Sequence, residues 1–592
     1  MNKFLKSVIA IGIASSITSF TSQSATYQVV DTNSLTTHKY SNAKAHNASG
    51  VMAFSASSVY NFPVQFDLLT ENDFQGIENL AFTGSKTNTL LNSIEDRVAL
   101  RAGTPTGNDF AWVVKYLQQS NQVKNSRYQK VGDSNIFLNQ GDVNTEITVF
   151  DQVLANGILS RSTFDFAYGI TNDNWLYGRA SAPYLPINFT DSNGVDVTYW
   201  SREFISRGFL TLDNGNTIKE VLPPESNYGG ESALLKVNNN HIGVGYVSTS
   251  IKQSVLDFFL SDTGGCADPT VLKDIPFEIC IDRAKKVENA GIYSLEAAKF
   301  TFDGQGNVTN TELLGNLVTP HVDDIRVYKS YALAVNNHGV AVGYATGWTK
   351  NDITEPKTNQ TRNLYAVMYK EGKAISFTKN PDKEFDSRAF DINDAGIAVG
   401  HVTKSVNGSA RTKFYYVDTN NADLTMVFPS DFFTGSASTA TAINEQGMIV
   451  GEGEVETHND NIRNGTTNNP RRRHGFLYDI NSDKFSDLND FLSCNSDYTI
   501  ISASDINENN EISATAVFKV DRHDAYGELV KDSSGTQLTE DVYRAVMLTP
   551  IAGEIEDCSK VEKKVKRQGA SFGLFSLLLL PLAMLRRRQY KK

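Results

Sequence analysis

The chain has 592 residues, 40% of them hydrophobic and 21% charged, with 42 glycines against 15 prolines and a net charge of −12. That length allows two to four average domains or one long repeat array, and the composition is that of a folded globular protein rather than a disordered one. The acidity excludes nucleic acid as an expected partner, because such binding depends on neutralising phosphates.

The first 25 residues read as an address. Lys3 and Lys6 form a positive start, Ser7 to Ile17 is an uncharged apolar run, and small and polar residues lead to Ala25. This is the layout of a secretory signal peptide, with cleavage expected after Ser24 or Ala25. Tyr27 to Val30 already alternates as a strand.

A motif of the form Ala-x-x-Ile/Val-Asn-x-x-Gly-x-x-Val-Gly then recurs. Three copies are clear, carrying Asn336 and Gly339, Asn393 and Gly396, and Asn444 and Gly447, at spacings of 57 and 51 residues. Fainter copies run from Asn47, Ile170, Val237 and Ile506. The asparagine side chain suits a tight turn, and the glycine supplies a positive φ for which asparagine is the best substitute, as at Asn174 and Asn510. Between the copies lies a second recurrent strand, as in Gly208 to Leu212, Leu364 to Tyr369, Gly475 to Asp479 and Tyr543 to Leu548. Two strands around each turn and two more beyond it make a four-stranded unit, with a period near that of a propeller blade. The expected fold is therefore all-β, a β-propeller-like array of six or seven four-stranded repeats over residues 26–552.

Two stretches interrupt the array, at about 70–150 and 250–300. Helices are predicted from Thr89 to Arg101 and from Asp109 to Gln119, where the apolar spacing is helical, and the second stretch contains Ser254 to Leu260 and the Cys266–Cys280 loop. Four cysteines allow three pairings, and short-loop closure favours Cys266–Cys280, leaving Cys494–Cys558. Trp175, Trp200 and Trp348 lie in or near repeat turns, where blade packing is expected before a sugar platform. Arg471 to Arg473 reads as a solvated basic loop. Asp479, Asn481, Asp483 and Asp490 have the spacing of a calcium loop, but Lys484 stands where the sharp turn needs glycine and Asp490 where a bidentate glutamate belongs. An acidic hairpin turn explains them, and neither a metal nor a cofactor is expected.

After a linker over 553–571, the segment 572–592 is a second address. Phe572 to Leu585 is apolar and ends on Arg586 to Arg588, which favours an arginine cluster left in the cytoplasm. The order of a glycine–serine segment around Gly569 and Ala570, a leucine run and an arginine cluster resembles the Gly-Gly C-terminal sorting signal of Gram-negative bacteria. Gly569-Ala570 stands where that pattern has paired glycines. The resemblance implies export machinery and a rhomboid-type sorting protease as partners, membrane contact before processing, and display or release outside the cell. A retained anchor facing the periplasm is the alternative. The Phe-Leu-Tyr strand before an Ile-Asn-x-x-Gly turn resembles the HAF-type extracellular repeat, and the whole plan resembles an uncharacterised family of secreted bacterial proteins.

No His-Glu-x-x-His, Gly-x-Ser-x-Gly or phosphate-binding glycine loop occurs. The sequence leans away from an enzyme and towards an exported binding or scaffold protein of unknown ligand. The alternative is an extracellular hydrolase or lyase acting on polysaccharide or peptide from carboxylates on one propeller face.

Overall fold

Every copy of the asparagine motif closes a hairpin between the first two strands of one small sheet. In the computed structural model, residues 26–87, 90–155, 157–287, 291–319, 324, 326–350, 361–457 and 471–556 are described. They form a seven-bladed β-propeller of antiparallel sheets. The inner strands of blades 1 to 7 are His38–His46, Asp165–Ile170, Ser232–Val237, Ser330–Val335, Glu384–Ile392, Ser438–Ile443 and Thr499–Ile506. Six sheets have four strands. The blade 5 sheet has three, with Val427 bridged to Tyr416 at its outer edge.

The ring closes between its two ends. Thr26–Asp31 is the outer strand of blade 7 and pairs with Thr539–Ile551, so the first and last strands of the described chain share one sheet. Such closure leaves no long unpaired edge at the seam.

The turn between first and second strands is the same in all seven blades. The residue three after the motif asparagine or its equivalent takes a positive φ: Gly50 77°, Asn174 67°, His241 56°, Gly339 79°, Gly396 81°, Gly447 81° and Asn510 59°. Asn336 Oδ1 accepts from His338 N at 3.1 Å and Val340 N at 2.9 Å, which holds the turn closed from within.

The last glycine of the motif has a different cause. Each inner strand carries a β-bulge just before the turn, with register breaks at 43/45, 167/169, 234/236, 332/334, 389/391, 440/442 and 503/505. The bulge pushes a carbonyl towards the second strand. A Cβ on Gly343 would stand 1.9 Å from Tyr331 O, and one on Gly400 1.9 Å from Arg388 O. The third strand reaches the same carbonyls: Tyr369 Oη donates to Tyr331 O at 2.8 Å and Tyr415 Oη to Arg388 O at 3.1 Å.

Blades are also joined near the far end of the inner strand by serine. Ser41, Ser232, Ser330, Ser387 and Ser438, each six residues before its asparagine, accept a backbone N–H from the third strand of the preceding blade. Blade 2 has Asp165 at this position. It is 1% exposed, and its Oδ1 has no hydrogen-bond partner among the described residues. Burial, and then the nearby Asp151 carboxylate, push its carboxyl well above the usual range.

Three insertions interrupt blades 1 to 3, all between the second and third strands and hence on the face opposite the asparagine turns. The first carries helices Glu71–Gly84, Arg97–Arg101, Gly107–Leu117 and Ser120–Lys124. The second is the hairpin Leu185–Thr190 with Asp196–Ser201, and the third carries Gln253–Leu260, Pro269–Leu272 and Phe277–Val287. They touch one another through Trp200 N donating to Ser126 O at 2.7 Å and Tyr199 Oη to Asp274 O at 3.4 Å. Cys266 and Cys280 are disulfide-bonded in the core of the third.

The first insertion differs from the sequence expectation at two places. The helix predicted from Thr89 starts only at Arg97, because Asp96 Oδ1 accepts from Val98 N and Ala99 N and caps it there. Asn135–Gln140 and Val143–Ile147, placed by sequence inside the interruption, are the third and outer strands of blade 1.

The two motif glycines are therefore separable by mutation. Gly339→Asn keeps a residue type at ease with positive φ and should lower stability by less than about 1 kcal/mol in urea unfolding. Gly343→Ala drives a methyl into a strand carbonyl and should cost about 2–3 kcal/mol.

Asp165 gives a pH prediction. Its native carboxyl is raised, so its contribution favours folding below the ordinary carboxylate range near ~4 and is lost as pH rises through the native value. Asp165→Ser, the residue of five other blades, should gain in melting temperature over the wild type as pH is raised, with little difference in acid. A constant difference across pH would show that Asp165 ionises normally.

Candidate functional site: the turn-face mouth of the central channel

The motif asparagines meet around one end of the channel. Each uses Oδ1 on its own turn, and all but Asn507 pass the amide to the next blade. Asn238 Nδ2 donates to Asn336 O at 2.8 Å, Asn336 to Asn393 O at 3.1 Å, Asn393 to Asn444 O at 3.1 Å, and Asn444 to Asn507 O at 3.0 Å. Asn47 donates to Thr171 O at 3.2 Å.

The residue after each asparagine makes a second ring at the rim. Its backbone N–H donates to the side chain of the equivalent residue one blade on: Ala48 to Asn172, Asn239 to Asn337, Asn337 to Asp394, Asp394 to Glu445 and Glu445 to Glu508. Blades 2 to 4 thus contribute amides and blades 5 to 7 carboxylates. Burial, with Asp394 and Glu508 nearby, raises the Glu445 carboxyl.

Within the mouth is a cavity of about 500 Å³, walled by the bulged segments of the inner strands. The second residue before the asparagine is Ala45, Gly169, Ala334 or Ala442 in four blades, but Lys236, Asp391 and Asp505 in the others. Lys236 Nζ reaches from blade 3 past the small Ala334 of blade 4 to Asp391 Oδ1 of blade 5, at 3.2 Å. Burial opposes its charge, but Asp391, Tyr177 and Asp505 outweigh that and hold the ammonium protonated. Asp391 Oδ2 accepts from Ile443 N, and Asp505 Oδ2 from His46 N, both at 3.2–3.3 Å. These carboxylates are therefore inter-blade struts.

His46 is held neutral by burial and turns its Nδ1 to Ser513 Oγ at 2.7 Å, between blades 1 and 7. Arg388 lies over the Tyr344 ring at 4.9 Å and, with burial the larger cause, lowers His401 to about 4. Lys44 and Tyr168, the bulged residues of blades 1 and 2, complete one side of the wall.

Of the residues singled out by sequence, the structure brings Asn336, Asn393 and Asn444 together at the rim, while Gly339, Gly396 and Gly447 shape the turns behind them. Asp479, Asn481, Asp483 and Asp490 do not converge. Asp479 caps its own turn, and Asp483 accepts from Tyr478 Oη at 2.8 Å. Among the described residues no group of three histidine, cysteine or acidic side chains is placed to hold a metal. Trp175 and Trp200 are buried, Trp175 stacked on His241 at 3.9 Å. Arg471, Arg472 and Arg473 pair with Glu454, Glu456 and Glu452 on the neighbouring strand and its end, and Arg472 remains exposed to solvent and Arg473 half-exposed.

Ala25, Gly569, Ala570 and Cys558 lie outside the described residues, and so does the segment 572–592. Among the described residues no helix is long and apolar enough to cross a membrane. Sequence reading missed Lys44, Lys236, Asp391 and Asp505. For the last three the signal is an aligned column of small residues in which a charge replaces alanine or glycine.

Lys236→Met leaves Asp391 buried without its counter-charge and should cost on the order of 2 kcal/mol in urea unfolding, moderated because the lysine is partly solvated by the channel. The double variant Lys236→Met/Asp391→Asn should recover much of that loss. Additive losses would show that the pair does not interact.

No curated protein matches the chain. Solved structures similar to it include TolB from Acinetobacter baumannii, at 9% identity and a TM-score of 0.26, covering 90% of this chain and 98% of that one. Another is a mutant puromycin hydrolase complexed with PGG, at 10% identity and 0.23, covering 65% of this chain and 55% of that one. A third is CoXyl43, a GH43 β-xylosidase/α-arabinofuranosidase from a compost microbial metagenome, at 11% and 0.20, covering 68% and 96%. A family model described as a protein of unknown function, DUF3466, matches residues 3–588, and the chain belongs to that family.

Proposed function

We propose that this chain is an exported, non-enzymatic binding or scaffold protein, displayed on the cell surface or released, which takes a small ligand at the turn-face mouth of its channel. The observation that carries the reading is the cavity itself. Its volume of about 500 Å³ lies in the range of small-molecule sites, and its polar walls are fixed by bonds between blades.

The hydrolase or lyase alternative requires carboxylates available to act as acid and base. Asp391 has one oxygen on Lys236 and the other on Ile443 N, and His46 has its Nδ1 on Ser513. Those commitments support binding over catalysis.

Export is supported by the charged-apolar-small pattern ending at Ala25 and by the tail after Gly569. The buried disulfide Cys266–Cys280 fits an oxidising compartment. The repeat is of the HAF type in this reading, and the tail is a Gly-Gly-type sorting signal removed by a rhomboid-type protease.

Mass spectrometry of the protein from membranes, medium and cytosol of the native host tests this. The expected species starts after Ala25, ends near Gly569 and lies at the surface or in the medium. A chain starting beyond Ala25 but ending at Lys592 in membranes would replace release by a retained anchor. An intact chain from Met1 to Lys592 in the cytosol would overturn export.

A further inference from the structure

The cavity wall is chemically divided, and one cation on it is unused. Lys44 Nζ has no hydrogen bond or ion pair among the described residues, although the side chain is half-buried and lines the cavity. Lys236, by contrast, is paired. Two further donors stand on the adjoining blade. Tyr168 Oη accepts from Arg179 Nε at 3.0 Å and keeps its own proton to give. Asn172 spends Oδ1 on Ala48 N, and its amide hydrogens have no partner among the described residues. The rim is acidic on blades 5 to 7, with Asp394, Glu445 and Glu508, and the last of these blades adjoins that of Lys44.

We propose that the mouth binds a small organic monocarboxylate, with Lys44 as its counter-ion and the Tyr168 hydroxyl and Asn172 amide as hydrogen-bond donors. The proposal rests on the reading of the mouth as a binding site and adds the ligand's chemistry. Burial lowers the Lys44 ammonium, and no carboxylate among the described residues pairs with it, so an incoming anion would supply that partner. An ammonium facing a carboxylate in a partly desolvated cavity forms a charge-assisted hydrogen bond, stronger than one between neutral groups. The acidic side of the rim opposes a second negative charge, so the ligand's remaining body is neutral or cationic.

Isothermal titration calorimetry on the purified protein tests this with matched probes. The pairs are glucuronate with glucose and γ-aminobutyrate with its amide, and succinate is the dianion. The expected result is saturable binding of at least one monocarboxylate, at least ten-fold weaker binding of its neutral partner, and no gain for succinate. Lys44→Met should reduce that binding ten-fold or more with an unchanged melting temperature in the absence of probe, while Lys44→Arg should retain it. If neutral partners bind as tightly and Lys44→Met changes nothing, the carboxylate assignment fails and the mouth remains a binding site. If succinate binds tightest, the restriction to one negative charge fails. If no probe binds wild type, the proposal fails with the reading of the mouth on which it rests.

Discussion

The asparagine amide that passes from one blade to the next is the contact on which the ring depends. Sheets of neighbouring blades share few backbone hydrogen bonds, so their relative placement falls to packing and to side chains that reach across. The motif asparagine is well suited, because one group closes its own turn and the other finds the next blade's carbonyl. A single such bond contributes only about 1 kcal/mol net, but leaving a buried partner unsatisfied costs about 1–3. The relay therefore acts mainly against misplacement: a blade rotated out of register strands both a carbonyl and an amide. The serine set at the far end of the inner strands applies the same constraint from the preceding blade.

The relay has two gaps, and each is bridged by other chemistry. Blade 2 has Thr171, which lacks an amide to give. There His241 Nε2 meets Asp173 Oδ2 at 2.8 Å and stacks on Trp175, joining blades 2 and 3 on the rim. At the seam between blades 7 and 1, Asn507 turns its amide back to Glu511. That junction is held instead by Asp505 on His46 N, by His46 on Ser513, and by Ala43 N on Thr515 Oγ1. The seam is also where both ends of the described chain share a sheet, so its different bonding belongs to closure.

Turn chemistry made much of the fold legible in the sequence. The asparagine, the glycine three residues on and the asparagine substitutes at 174 and 510 are local requirements, and local requirements leave residues behind. The third-strand sequences such as Leu364 to Tyr369 were legible for the same reason. What sequence did not reveal depends on partners far along the chain. The final glycine of the motif exists because a bulge in the opposite strand pushes a carbonyl at it, and simple alternation has no mark for a bulge. The start of the helix at Arg97 follows from a cap that competes with the apolar periodicity before it. Lys236 and Asp391 are 155 residues apart and belong to blades that are not neighbours, so nothing local announces their pairing. Only the superposed repeats expose them, as charges in a column otherwise small.

The two ends of the propeller are consequently different kinds of surface. On the insertion face, the added segments from three blades lean on one another, and cations gather there on aromatic rings: Lys130, Arg202 and Lys286 all approach Tyr184. That face was built by lengthening loops, and its contacts are particular to each insertion. The turn face was built by repetition, so every side chain at its rim inherits a fixed position from the relay behind it. Substituting one rim residue there changes the chemistry of the mouth without disturbing the turn that carries it, provided the asparagine stays. A site made this way can alter its charge blade by blade, from the amides of blades 2 to 4 to the acids of blades 5 to 7, while its geometry remains that of the ring.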